Sequence, residues 1–175
     1  MPEMVLLCGD ESFTCTAVSV KSYRRYTEIM ERNTGESAAE AFDANMQILK
    51  EVFSVTGNTL SKADAVAILS TSKMIHFVMQ DVIGKKFLEL NPERAEPEER
   101  EESAFDEYDE ENGYNDLEAE RKNIWKILRD NLDRVVKMCI RVMKNSYQDC
   151  MDADIITLLD YVAFELRTIK ENERK

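Results

Sequence analysis

The amino-acid sequence predicts a mainly α-helical fold: an N-terminal β-hairpin with helices, an acidic flexible linker, and a C-terminal helical hairpin. Three observations carry this reading. Apolar residues recur at three- and four-residue spacing over most of the chain, and serine or aspartate caps stand at the head of several periodic runs. Between Glu93 and Glu111 there are eleven acids against two arginines, with Pro97 inside and few aliphatic residues. That stretch divides the chain into a unit at 1–90, a linker at 91–116 and a second unit at 117–175.

Two β-prone runs, Val5 to Cys8 and Phe13 to Val20, flank Gly9-Asp10-Glu11-Ser12 and predict a hairpin with a four-residue loop. From Ser22 the period becomes helical, with Tyr23, Tyr26 and Met30 on one side and Lys21, Arg24, Arg25 and Arg32 on the other. Asn33-Thr34-Gly35 stops that helix. Ser37-Ala38-Ala39-Glu40 fits a capping box, in which the serine oxygen accepts from a free backbone amide and the glutamate reaches back. The helix it starts carries the apolar stripe Ala38, Ala41, Phe42, Met46, Leu49, Val52 and Phe53.

Gly57-Asn58 ends this segment, and Ser61 to Asp64 can cap the next, whose apolar arc runs through Ala67, Leu69, Met74, Ile75, Val78, Met79, Val82 and Ile83. An arc that wide predicts a central helix with several neighbours. Gly84 with Lys85-Lys86 reads as its end, the cations facing the negative end of the helix dipole. In the second unit, Ile124, Trp125, Leu128, Leu132, Val135, Cys139 and Val142 form a long helical stripe with Lys and Arg interleaved outside. Asp149 and Asp152 can cap a last helix bearing Ile155, Leu158, Leu159, Val162, Leu166 and Ile169.

Composition narrows the function classes. No apolar run approaches the roughly 18 to 20 residues that cross a bilayer, so no membrane partner is expected. The start, Met1-Pro2-Glu3-Met4, places an acid where an export signal carries Lys or Arg, so a cytoplasmic location is expected. Net charge is -12, which repels a phosphate backbone, and no basic face is expected to offset it, so nucleic acid is not an expected ligand. Cys8, Cys15, Cys139 and Cys150 form no C-x-x-C pair and there is one histidine, so a structural zinc site lacks its ligands and reduced thiols are expected.

Candidate chemistry is sparse. His76 is flanked at helical spacing by Ser72, Lys73 and Gln80, with no triad motif, and reads as structural. The run Asp106 to Gly113 mixes acids with a glycine, yet with Gly113 at position six of a calcium loop, positions one and twelve become Tyr108 and Ala119. No phosphate-cradling glycine motif is present. Neither a catalytic residue nor a metal or cofactor is therefore expected. Nine methionines suit ordinary cores and adaptable binding grooves alike. Phe105, Tyr108 and Tyr114 in the acidic field could anchor a basic partner, so one reading is a cellular acidic helical adaptor for a basic protein.

A second reading comes from resemblance. The β-prone start, Lys21-Ser22-Tyr23-Arg24-Arg25-Tyr26 leading to Ile29-Met30-Glu31, the helix ending Leu49-Lys50-Glu51-Val52-Phe53, and Leu60 opening the next helix resemble the N-terminal unit of the tail assembly chaperones of siphophages. Met143 to Glu165, with Ser146, Tyr147, Asp149, Met151-Asp152 and Leu158-Leu159-Asp160-Tyr161, resembles the extension that follows an acidic linker in the long form of that family.

The resemblance implies a non-enzymatic chaperone in the bacterial host cytoplasm, absent from the mature virion. Its first unit would coat the aggregation-prone tape measure protein and its second would recruit major tail tube protein subunits. Partner contacts would then come from Tyr23, Tyr26, Phe42, Met46, Leu49, Phe53 and Met74 in the first unit and Met151, Asp152, Leu159 and Tyr161 in the second. A homo-oligomer is compatible with the same residues.

Overall fold

The computed structural model describes residues 1–33, 37–90 and 113–173. Its order is a β-hairpin followed by helices, as the periodicity predicts. Strand β1 (Met4–Cys8) pairs antiparallel with β2 (Glu11–Cys15), Leu6 opposite Phe13 and Cys8 opposite Glu11. The turn is therefore two residues, Gly9-Asp10, instead of the expected four. Gly9 has φ +63°, the left-handed value that a primed turn demands at its first central position. Met4, Leu6 and Cys8 point inward, while Val5 and Leu7 point to solvent.

The second strand ends at Cys15, short of the expected Val20, because the next backbone groups find another partner. Val20 N donates to the Ala153 carbonyl at 3.0 Å and Ile155 N donates to the Val18 carbonyl at 2.9 Å. Ser19 and Asp154 thus form an antiparallel bridge across the chain. Ser19 also caps helix α1 (Val20–Arg32) by accepting from Ser22 N, so α1 starts ahead of Ser22.

Helix α2 (Ala38–Phe53) begins as its box predicts, with Ser37 Oγ accepting from Glu40 N at 3.1 Å. Its face is rotated from the expected stripe, since Ala44, Ile48 and Leu49 are buried and Phe42 is exposed. A short helix α3 (Gly57–Leu60) stands where an end was expected, capped by Thr56. Asp64 then caps α4 (Ala65–Phe77), accepting from Ala67 N at 2.7 Å.

The helix does not stop at Gly84. A π-helical turn, Val78–Val82, leads into α5 (Ile83–Leu90), and the inward residues Ile83 and Phe87 keep the axis buried past the glycine. Phe87 stacks on Tyr23 with ring centroids 5.8 Å apart. Lys86, expected at a helix end, instead pairs with Asp160 at 2.6 Å. From Ala65 to Phe87 the helix is long and apolar enough, by length and composition alone, to cross a membrane, a length that the uninterrupted apolar runs did not reveal. Part of that stretch is buried in the protein, where Ile68, Thr71, Ser72 and Ile75 face β1 and α2.

Helix α6 (Gly113–Val142) is under way before the expected start at Leu117, and the rest of the expected linker, 91–112, lies outside the described residues. Lys144, at φ 61°, ends it. The turn to the last helix is built differently from expectation: Ser146 caps a short helix α7 (Tyr147–Asp152), with Asp149 as its capping-box partner. Asp154 Oδ1 accepts from Ile156 N at the head of α8 (Ile155–Glu173).

Residues of 1–90 and 117–175, read from the sequence as separate units, contribute to one hydrophobic core. Met4, Leu6, Tyr23, Tyr26, Ile48 and Leu49 share it with Leu132, Val136, Cys139, Ile155 and Leu159. Helix α1 packs along α6, and α5 along α8.

Candidate functional site

The exposed side of α4 is as apolar as its buried side. Val66 is 76% exposed, Leu69 53%, Phe77 51% and Met74 42%, with Lys73 and Ser70 between them. Their offsets place all four on one face of a helix. The opposite face is already committed to β1 and α2, so nothing in the fold covers this one among the described residues. Thr71 Oγ1 donates to the Val5 carbonyl at 3.0 Å and holds β1 beside the helix, so its outward residues Val5 and Leu7 add to the apolar surface on this side. A helix apolar on both sides is normally buried on both. The expected reading of a wide arc as core thus holds for Ile75, Val78, Met79 and Ile83, while Leu69 and Met74 belong to the surface.

Beneath this surface lies a polar joint. Asn45 Oδ1 is 3.0 Å from His76 Nε2, and the Tyr26 hydroxyl is 2.9 Å from His76 Nδ1. Gln80 Nε2, from the π turn, donates to the same hydroxyl at 2.9 Å. Because the asparagine oxygen can only accept, Nε2 carries the histidine proton. Nδ1 then accepts from Tyr26, which accepts from Gln80, and the chain of donors closes with each group satisfied. Burial lowers the pKa of His76 and raises that of Tyr26, so both are neutral at pH 7. Tyr26 also meets Trp125 of α6 edge-on, with centroids 5.8 Å apart. Both nitrogens of the one histidine are thereby engaged in joining α1, α2 and α4.

The other groups with chemical potential are similarly occupied. All four cysteines are free and buried, and burial pushes the Cys139 thiol up to about 11, leaving it protonated. Among the described residues no cluster of three or more His, Cys, Asp or Glu could hold a metal.

The structure separates the described sequence-predicted contact residues into buried, half-buried and exposed sets. Tyr23, Tyr26, Leu49, Met151 and Leu159 are buried and build the core. Met46 and Phe53 are half-buried, while Phe42, Met74, Asp152 and Tyr161 reach solvent. Phe105 and Tyr108 lie outside the described residues, and the backbone of Tyr114 is in α6. Sequence reasoning missed Val66, Phe77, Val5, Leu7 and Phe164, the last exposed on α8 three residues after Tyr161. Val66 and Phe77 were detectable in principle, since with Leu69 and Met74 they complete a second apolar stripe at helical spacing.

No family model, curated protein or solved structure matches the chain.

Proposed function

We propose that the protein is a non-enzymatic assembly chaperone that shields an apolar helical segment of a partner until that partner is incorporated into a larger structure. The apolar face of α4, uncovered by any described residue and bordered by Val5 and Leu7, is the observation that carries the reading. A face of this type takes an amphipathic helix through anchors at three- and four-residue spacing. Its aliphatic and methionine contacts are individually weak, which suits release on assembly, and net charge -12 opposes aggregation of the loaded complex.

Within this proposal the resemblance to siphophage tail assembly chaperones names the partners: the tape measure protein on the first segment and the major tail tube protein on the second, where Tyr161 and Phe164 are exposed. Repetition of weak contacts along a long helical rod would add avidity without any single strong site.

Coexpression tests the proposal. A tape measure protein encoded beside this chain should stay soluble with it, and the paired substitution Leu69→Asp and Phe77→Asp should return that protein to the pellet while leaving this chain folded. Precipitation regardless of the wild-type chain would overturn the reading.

A further inference from the structure

The described part of this acidic protein carries a basic face that the net charge conceals. Among the α6 side chains described, those from Ile124 onward, the exposed charged positions are Lys126, Asp130, Arg134, Lys137 and Arg141, followed by Lys144 in the turn: five cations against one acid. Their three- and four-residue offsets place them along one side of the helix, over roughly 25 Å at 1.5 Å per residue. Other cations of the region are neutralised locally, Arg129 by Glu31 and Arg24 by Asp133. Arg134, Lys137, Arg141 and Lys144 make no ion pair among the described residues. The expectation that no basic face offsets the net charge does not hold locally, on this side of α6.

Beside Arg134 the surface opens into a cavity of about 220 Å³ between α5, α6 and α8. Phe87, Leu90, Val135, Met138, Val162 and Leu166 form its apolar walls, with Asn131 and Arg134 supplying the polar part of the lining. Ile127 and Val142 flank the cations and are themselves exposed.

From this juxtaposition we infer that the outer face of α6 is a docking surface for an acidic amphipathic polypeptide segment, its carboxylates along the Arg134–Lys144 row and one large apolar side chain in the adjoining cavity. Charge complementarity selects an anion, and the cavity selects a polypeptide. A phosphate backbone would use the cations and leave the apolar walls unfilled, while the strongly acidic remainder of the chain repels a long polyanion. The surface is separate from the apolar face of α4, so it stands or falls independently of the chaperone reading.

The probe is a fluorescent synthetic peptide of Glu and Leu at helical spacing, titrated with the full chain and followed by anisotropy. Binding should weaken steeply as salt rises, because exposed pairs are screened. The triple variant Arg134→Glu, Lys137→Glu, Arg141→Glu should weaken it by about tenfold or more, as reversed charges oppose the same ligand. Met138→Ala should weaken it while leaving the salt dependence in place. Leu69→Asp with Phe77→Asp should not change it. Circular dichroism shows whether each variant remains folded. Equal binding by the charge-reversed protein, tighter binding of duplex DNA than of the peptide, or no peptide binding at low salt would each overturn the inference.

Discussion

Helix α1 is held by opposite means on its two flanks. Toward α2 and α4, contact is made by the joint of Tyr26, His76, Asn45 and Gln80, built around a tyrosine that is 1% exposed, where every hydrogen bond has a required direction. Toward α6, apolar packing is bordered by two ion pairs, Arg24 with Asp133 at 2.6 Å and Arg129 with Glu31 at 2.5 Å, all partly exposed. Distances alone would rank the ion pairs as the stronger contacts. The surroundings reverse that order at Tyr26: water replaces a broken surface pair, whereas a bond lost at this buried side chain leaves its hydroxyl with no substitute partner. Polar contacts at one helix can thus determine its registry on one flank and contribute little on the other.

The comparison breaks first at Tyr26. Tyr26→Ala removes a side chain that is 1% exposed and should cost about 3–5 kcal/mol in chemical denaturation, by analogy with other buried aromatic truncations. Tyr26→Phe retains the ring and should cost about 1–3 kcal/mol, because His76 Nδ1 loses its donor. Trp125, the single tryptophan and in edge contact with Tyr26, reports both transitions by fluorescence.

Acid should loosen the same flank. The folded-state pKa of His76 lies below its unfolded value of about 6.5, through desolvation. The unfolded chain therefore binds more protons between the two values. The contribution of neutral His76 is complete above the unfolded pKa and is lost as pH falls through the folded one. Since the sequence contains one histidine, subtracting the stability of His76→Gln from that of wild type between pH 7.5 and pH 5 isolates this term. A flat difference would show that protonation leaves the joint intact.

The smallest effect belongs to the other flank. A double-mutant cycle of Glu31→Ala and Arg129→Ala should give a coupling of about 0.2–1 kcal/mol, reduced further by salt. Arg129 holds the Glu31 carboxyl below the usual carboxylate range, but solvent exposure discounts the conversion of that shift into stability. A coupling above that of the Tyr26 joint would invert the comparison.

What could be read in advance follows the range of the interaction that decides each feature. The Ser37 and Asp64 caps are local chemistry, bonding to amides three residues away, and the sequence suffices to place them. Burial phase depends on neighbours. Phe42 is more apolar than Ala44 and was assigned inward, yet α2 is rotated so that Ala44 and Ile48 face the core. The end of β2 depends on Ala153 and Ile155, which take the hydrogen bonds that a longer strand would have used. The π turn has no local signature. The basic face of α6 was visible as interleaved Lys and Arg, but whether those cations are neutralised across helices is a tertiary property, and whole-chain charge pointed the other way.

The bridge between Ser19 and Asp154 also has a consequence in time. A ribosome delivers β1, β2 and the first five helices long before Ala153 and Ile155 emerge. Until then the backbone at Val18 and Val20 lacks its pairing partner. Closure of the bridge, and with it the junction between the hairpin and α1, consequently waits on the start of the last helix.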